Sequence, residues 1–309
     1  MTYLVTGAAG FIGAAVAEKL AKDNEVITID NLSTGYEEHI PENVEFIKGS
    51  VADEAVVNSL MSRKIDAIFH IAGQSSGEVS FEDPVYDLQT NYQSTVLLLN
   101  LARHTGCKKF IYASTMSVYG DHNPPKCSES TEIIPKSFYA VGKYASEQYM
   151  RIYSGQFGIT CTALRLFNTY GCGQNMKNLK QGMASIYLAM AIKDHKITVK
   201  GSKDRFRDFV YVDDVANAFI KALGRGEGDG YDVFNVCTGS PTTVEHIIEL
   251  IKSRLPYDVE VEYIGGTPGD QFGIYGDYSK IKESIGWSPT LSFDEGMTKM
   301  IEWAQSTMN

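Results

Sequence analysis

The sequence predicts an α/β protein built on a doubly wound parallel sheet of Rossmann type, followed by a smaller mixed α/β part. Three observations carry this. Over the first two-thirds of the 309 residues, short β-branched runs alternate with amphipathic stretches of helical period, the pattern of parallel strands joined by crossover helices. The first run, YLVT, leads directly into Gly7, Gly10 and Gly13 and then an apolar helical segment, a tight strand-to-helix turn. Past Asn168 the alternation ends and short strands mix with helices. That divides the chain into a first unit over 1–170 and a second over 171–309, with segments near 209–236 rejoining the first.

In order along the chain, strands are expected at 3–6, 25–29, 44–48, 66–71, 109–114 and 162–166. Helices are expected near 11–22, 53–62, 84–105 and 137–157, the last two long enough to pack on more than the sheet. The segment YGCGQNMKN after Asn168 reads as loop. Beyond it, strands near 197–199, 209–212 and 259–263 mix with helices near 213–223, 243–254 and 293–306. Asp208 and the pair Asp213, Asp214 read as a helix start, where carboxylates are favoured. His70, ending an apolar strand, reads as packed.

With 43% hydrophobic residues the chain can bury one large core or two interlocked ones. Its 28 basic and 38 acidic residues leave a net charge of -10, which repels nucleic acid and anionic lipid. Neither is expected as a partner, and any anionic ligand must be gripped locally by backbone N–H groups and a few cations. The five cysteines are scattered without a CxxC pair, so no metal site is expected and free thiols in a reducing compartment are. No stretch approaches the ~20 apolar residues of a membrane span. A cytoplasmic protein is expected.

Each glycine of GxxGxxG has its own use. Gly7 serves the turn, Gly10 the close approach of a pyrophosphate to the helix N-terminus, and Gly13 the packing of helix on strand. Asp30 ends the second strand, EVITID, where a carboxylate would accept hydrogen bonds from an adenosine ribose and repel a 2′-phosphate. The pairing points to NAD rather than NADP. Tyr139 and Lys143 form a YxxxK pair, one helical turn apart and on one face. A free phenol has a pKa of ~10. A cation about 4 Å away, at an effective dielectric of ~20, is worth roughly 4 kcal/mol before desolvation opposes it, so Lys143 together with an oxidised nicotinamide would make Tyr139 a usable acid/base.

GxxGxxG, Asp30, FIYASTMSVYG and then YxxxK, in that order, resemble the extended short-chain dehydrogenase/reductase superfamily, in its NAD-dependent nucleotide-sugar epimerase/dehydratase branch. The resemblance continues through DNLSTG, FHIAGQ, EDPVYDLQTN, LRLFNTYGCGQN, RDFVYVDDVA, FNVCTG, PGD and GWSPTLSFDEGM. It implies a nucleotide-sugar substrate held by the second unit. It also implies a dinucleotide held by Gly7, Gly10, Phe11, Ile12, Gly13, Asp30, Asn31, Ser50, Val51, Ala72, Gly73, Gln74, Asn91, Tyr139 and Lys143. The catalytic group would be Thr115, Tyr139 and Lys143, with Thr115 orienting the sugar hydroxyl and Ser114 beside it. Substrate contacts would come from Ser114, Thr115, Asn168, Asn178, Leu179, Asp270 and Ile274, with Arg207 on the diphosphate. Similar enzymes pair through the helices near 84–105 and 137–157, so a homodimer is expected.

The residues after Thr115 bear on the reaction. Dehydratases and decarboxylases of this family usually carry acidic residues there, and GDP-fucose-synthase-like members a Cys; here stand Met116 and Ser117. Proton work at a neighbouring carbon needs carboxyl groups that Met116 cannot supply. What remains is oxidation and return at one carbon through a 4-keto sugar, the chemistry of 4-epimerases of the UDP-glucose/UDP-galactose type. The alternatives are a 2-epimerase, or a 4-dehydrogenase or reductase, on a CDP- or GDP-sugar, and a non-catalytic NAD-sensing protein. Three positions depart from the family pattern: Ser50 where an acidic residue holds the adenine, Thr267 where an Arg precedes PGD, and Cys172 where YGP is usual. Ile274 is expected to line the sugar pocket and, being stiff and β-branched, to favour plain hexoses over N-acetylated ones.

Overall fold

A computed structural model describes residues 1–179, 182–266 and 272–307. The first half runs β1 (Thr2–Thr6), α1 (Phe11–Leu20), β2 (Glu25–Asp30), β3 (Val44–Lys48), α2 (Glu54–Asn58), β4 (Ala67–His70), α3 (Gly77–Glu82), α4 (Pro84–Leu88), α5 (Ser94–Thr105) and β5 (Lys109–Thr115). Next come β6 (Lys126–Cys127), α6 (Phe138–Phe157), β7 (Thr160–Leu166), β8 (Asn168–Tyr170), α7 (Met183–Asp194), β9 (Lys196–Lys200), β10 (Phe206–Tyr211) and α8 (Val212–Ala222). The chain continues through β11 (Tyr231–Val236), β12 (Pro241–Thr243), α9 (Val244–Arg254), β13 (Glu260–Ile264), β14 (Gly273–Gly276), α10 (Ser279–Ile285) and α11 (Phe293–Thr307).

The seven-stranded main sheet has the order β3-β2-β1-β4-β5-β7-β11 and every pairing in it is parallel. Its order reverses between β1 and β4, and a doubly wound sheet opens a crevice at the carboxyl ends of the strands at such a point. Both faces are covered, so β1, β4, β5 and β7 are buried nearly end to end. The tight packing of α1 on the sheet rests on two glycines. Gly7 sits at φ +80°, and a Cβ on Gly13 would stand 2.0 Å from the Gly7 carbonyl oxygen, so no other residue fits there.

A second sheet, β12-β10-β14-β6 with β8 on β10, and a pair β13-β9 stand beside the first. Their own apolar cluster joins α7, α9 and α11 through Leu188, Ile247, Ile251, Met300 and Ile301. Met183–Asp194 was not foreseen as a helix because MASIYLAMAIKD is apolar nearly all round; it is buried on several sides, which erases the 3.6-residue period. The stretch expected as one helix near 84–105 is two, α4 and α5, joined by a π-helical turn over Gln89–Gln93. The helix near 53–62 is shorter, Glu54–Asn58, capped by the Asp53 side chain on the Ala55 amide. All five cysteines are free. Among the described residues no helix is long and apolar enough to cross a membrane.

Asp208 is a strand residue of β10, not part of a helix start. Fully buried, its carboxylate accepts from the Thr238 amide and hydroxyl and from the Gly239 and Gly276 amides, at 2.6–3.1 Å. Asp214 lies in the first turn of α8 but turns inward to accept from Thr290 N and Oγ1, beside Trp287, whose Nε1 donates to the Asp214 carbonyl. Asp208→Ala strands four donors and should lower the unfolding free energy by roughly 3 kcal/mol or more. Urea denaturation measures this, and an unchanged midpoint would show that water replaces the carboxylate without cost.

Candidate active site

The crevice at the strand-order reversal is a cavity of about 360 Å³. Its walls include Gly7, Gly10, Phe11, Ile12, Gly13, Asp30, Asn31, Ser50, Val51, Ala72, Gly73 and Gln74, and also Asn178. These groups fit a dinucleotide. Gly10 caps α1 with no side-chain hydrogen bond, so the first amides and the positive end of the helix are turned to the cavity. A Cβ on Gly7 would meet the Ala72 backbone at 2.9 Å, which keeps the floor flat. The Asp30 carboxylate stands at the end of β2, fixed by the Ala9 amide at 3.0 Å and the Leu32 amide at 2.8 Å. Ser50 lines the cavity while its hydroxyl accepts from the Ala52 amide. The far rim is tied by Asn175, whose amide donates to the Thr34 carbonyl.

A second cavity of about 230 Å³ shares Phe11, Ile12, Ile71, Gly73, Ser75 and Gln174 with the first. Ser114, Thr115, Tyr139, Lys143 and Asn168 line it, together with Met116, Ser117, Phe167 and Phe209. Tyr139 and Lys143 come from the first turns of α6, which Ser137 caps by accepting from the Ala140 amide; Thr115 is the last residue of β5. Burial pushes the Tyr139 phenol up to about 12, against a hydrogen bond with the Thr115 hydroxyl that draws it down. Burial lowers Lys143 to about 8, against Asp87, which raises it. The Lys143 ammonium donates to the Ala113 carbonyl at 3.0 Å and lies 4.8 Å from the Tyr112 ring centre but 5.9 Å from that of Tyr139. In the protein alone burial dominates the Tyr139 phenol, and Lys143 is not among the groups that shift it. His70, behind them, is buried between Thr6 and Ser94, and burial holds it neutral.

Other expected positions fall elsewhere. Ser114 does not offer its hydroxyl to the cavity; it donates to Glu147. Asn91 is buried and reaches the Gln74 carbonyl and Asp87 rather than lining the dinucleotide cavity. Arg207 is buried, donating to the Phe206 and Phe272 carbonyls, and Leu179 is exposed. Ile274 is fully buried in a cluster with Met116 and Phe167; those two line the cavity, and Ile274 is not among its walls. Asp270 lies outside the described residues.

Three groups at the site were not foreseen from the sequence: Glu147, Arg165 and Gln174. Glu147 follows Tyr139 and Lys143 at the same four-residue spacing, and that period was the available signal. It forms a buried two-bond pair with Arg165, at 2.7 and 3.0 Å. Gln174, hidden in what reads as loop, faces both cavities. Its Oε1, like Oδ1 of Asn168, is a buried acceptor without a protein partner, as suits a ligand rich in hydroxyls.

A Rossmann-type sheet, a dinucleotide crevice and a Tyr/Lys/Thr group beside it define an NAD-dependent oxidising site, and residues 3–237 match the model of the NAD dependent epimerase/dehydratase family. The chain belongs to that family. It is 33% identical over 310 residues to a UDP-glucose 4-epimerase of Mycolicibacterium smegmatis, with 98% of each chain covered. Among solved structures it resembles the UDP-glucose 4-epimerase of Thermotoga maritima with UDP-glucose, at 34% identity, TM-score 0.95 and full coverage of both chains. It also resembles the Thermus thermophilus UDP-glucose 4-epimerase complex with NAD, at 32% identity and TM-score 0.92, covering 99% of this chain and 100% of that one.

Asp30→Ala should relax the discrimination against NADP, since it removes the charge that meets a 2′-phosphate. Titrating the protein with both dinucleotides tests it. Equal affinities in the unaltered protein would take that role from Asp30.

Proposed function

We propose that this protein is a 4-epimerase acting on UDP-glucose and UDP-galactose. The observation that carries the reading is the placing of Thr115, Tyr139 and Lys143 in a cavity that shares a wall with the dinucleotide crevice, with Met116 and Ser117 where eliminating members of the family carry acids. The related epimerases, solved with UDP-glucose or NAD, support it.

Tyr139 takes the proton of the C4 hydroxyl and later returns it; Thr115, which lines the same cavity, holds that hydroxyl in line. Lys143 keeps a positive charge beside the pair. Asn168 and Gln174 offer their unpartnered oxygens to the sugar. When bound, NAD supplies reversible hydride acceptance at the same carbon, so no net redox change occurs. Met116 and Phe167 leave the neighbouring carbon without an acid or base, which keeps the 4-keto sugar from eliminating.

Residues 1–170 with the segments near 209–236, which include α8 and β11, would form the dinucleotide-binding unit, and the rest of 171–309 the sugar-binding one. Phe81, Val85, Leu88, Phe138, Val141 and Ile152 are exposed on α3, α4 and α6, an apolar face that supports a homodimer through these helices. The free cysteines suit a reducing cytoplasm.

Incubation with UDP-glucose should yield UDP-galactose, resolved by chromatography alongside CDP-, GDP- and dTDP-sugars; turnover of one of those instead would overturn the base assignment. Deuterium placed at C4 should be retained in the product, whereas exchange with solvent would exclude hydride return. Tyr139→Phe should lower turnover by roughly 10² or more while leaving NAD binding in place. Activity within a few-fold of the unaltered enzyme would remove Tyr139 from the proton transfer.

A further inference from the structure

Asp87 lies on α4, close to the catalytic helix, and is 1% exposed. Two donors reach it, Gln74 Nε2 at 2.7 Å and Asn91 Nδ2 at 3.0 Å, and both converge on Oδ1. Oδ2 faces α6, 3.6 Å from where a Cβ on Gly142 would stand, one residue before Lys143. Both donors are neutral amides. A carboxylate with that much burial is costly to keep ionised unless a cation shares its low-dielectric surroundings, and the cation acting on it is Lys143. Asn91 stands near both without bonding Lys143: a point just off Gly73 is 2.5 Å from Asn91 Oδ1 and 3.4 Å from Lys143 Nζ, and that Oδ1 has no hydrogen-bond partner.

We propose that Asp87 is the counter-charge that keeps Lys143 an ammonium ion, acting through space rather than by contact, and so fixes the protonation state in which Tyr139 and Lys143 work; this rests on their assignment to proton transfer. Asp87 is a positioning residue, not a catalytic one. The other groups facing Lys143 do not substitute for it. Tyr139 and Tyr112 are neutral phenols held high by burial, and His70 is held neutral. Glu147, one turn on along α6, is taken up by Arg165.

Burial already brings Lys143 down to about 8 against the pull of Asp87, so removing the Asp87 charge makes the ammonium lose its proton at lower pH. Asp87→Asn keeps an oxygen able to accept both amides while deleting the charge. The readout is the 13Cε resonance of Lys143 in lysine-labelled protein, assigned by its loss in Lys143→Arg and followed against pH, with folding checked by circular dichroism. The midpoint should fall by roughly one pH unit. Asp87→Ser, a second uncharged variant, should shift it the same way, and Asp87→Glu should restore it. An unchanged midpoint in either folded uncharged variant overturns the proposal. The titration needs neither sugar nor turnover, so it stands apart from the epimerase assays: a lowered midpoint with no sugar conversion would overturn the activity and keep the counter-charge.

Discussion

The buried pairing of Arg165 with Glu147 holds Thr115, Tyr139 and Lys143 in register. Glu147 projects from α6, two turns past Tyr139 and one past Lys143, and Arg165 projects from β7. Ser114, the residue before Thr115 on β5, donates to the same carboxylate. On the other side Arg165 donates to the Tyr119 hydroxyl, which donates to Asn235 of β11 at 2.6 Å. One network thus locks the helix that carries Tyr139 to the strand that carries Thr115 and to the next two strands, β7 and β11. An ion pair this deep adds little net stability over apolar packing, because desolvation offsets the attraction, but losing one partner leaves a bare charge and costs several kcal/mol. Its value lies in geometry: a carboxylate held by Arg165 and Ser114 together admits few positions of α6.

Burial has opposite consequences for Tyr139 and Lys143. It raises the tyrosine and lowers the lysine, each toward its neutral form. Left to burial alone, the site would be two neutral groups with little to exchange. On the proposed mechanism Asp87 brings charge in from within the protein, and an oxidised, positively charged nicotinamide would add it from outside, so that loading with the dinucleotide would make Tyr139 a better base.

Much of this was legible in the sequence because the relevant signals are local. A glycine triplet after a strand, an acid at the end of the next strand and a four-residue Tyr/Lys spacing are each set within a few residues, and the structure gathers them around two adjoining cavities. Strands β1, β2, β3, β5 and β7 lie within two residues of where β-branched runs placed them. What was hidden depends on distant partners. Nothing near Ser114 announces that its hydroxyl belongs to Glu147, and nothing near Arg207 that its guanidinium reaches a backbone carbonyl 65 residues away. Ile274 reads as a pocket residue in the sequence, but β14 pairs in parallel with β10 and the side chain is buried in the interior. Asp208 beside a run of acids looked like a helix start; only the later arrival of Thr238, Gly239 and Gly276 makes it a buried hub.

The edge strand β11 carries a consequence for how the protein is made. Residues 231–236 pair with β7 and complete the main sheet, yet the crevice, Tyr139, Lys143 and Thr115 are all synthesised before them. Until residue 236 leaves the ribosome, β7, buried along its whole length in the finished protein, presents an open and largely apolar edge, the kind of surface on which nascent chains stick to one another. At ordinary elongation speeds that interval lasts on the order of several seconds. Demand for chaperone protection should therefore concentrate in that stretch of translation, and a truncated message ending anywhere inside it would yield a chain with every reactive residue in place and no means of staying apart from its neighbours.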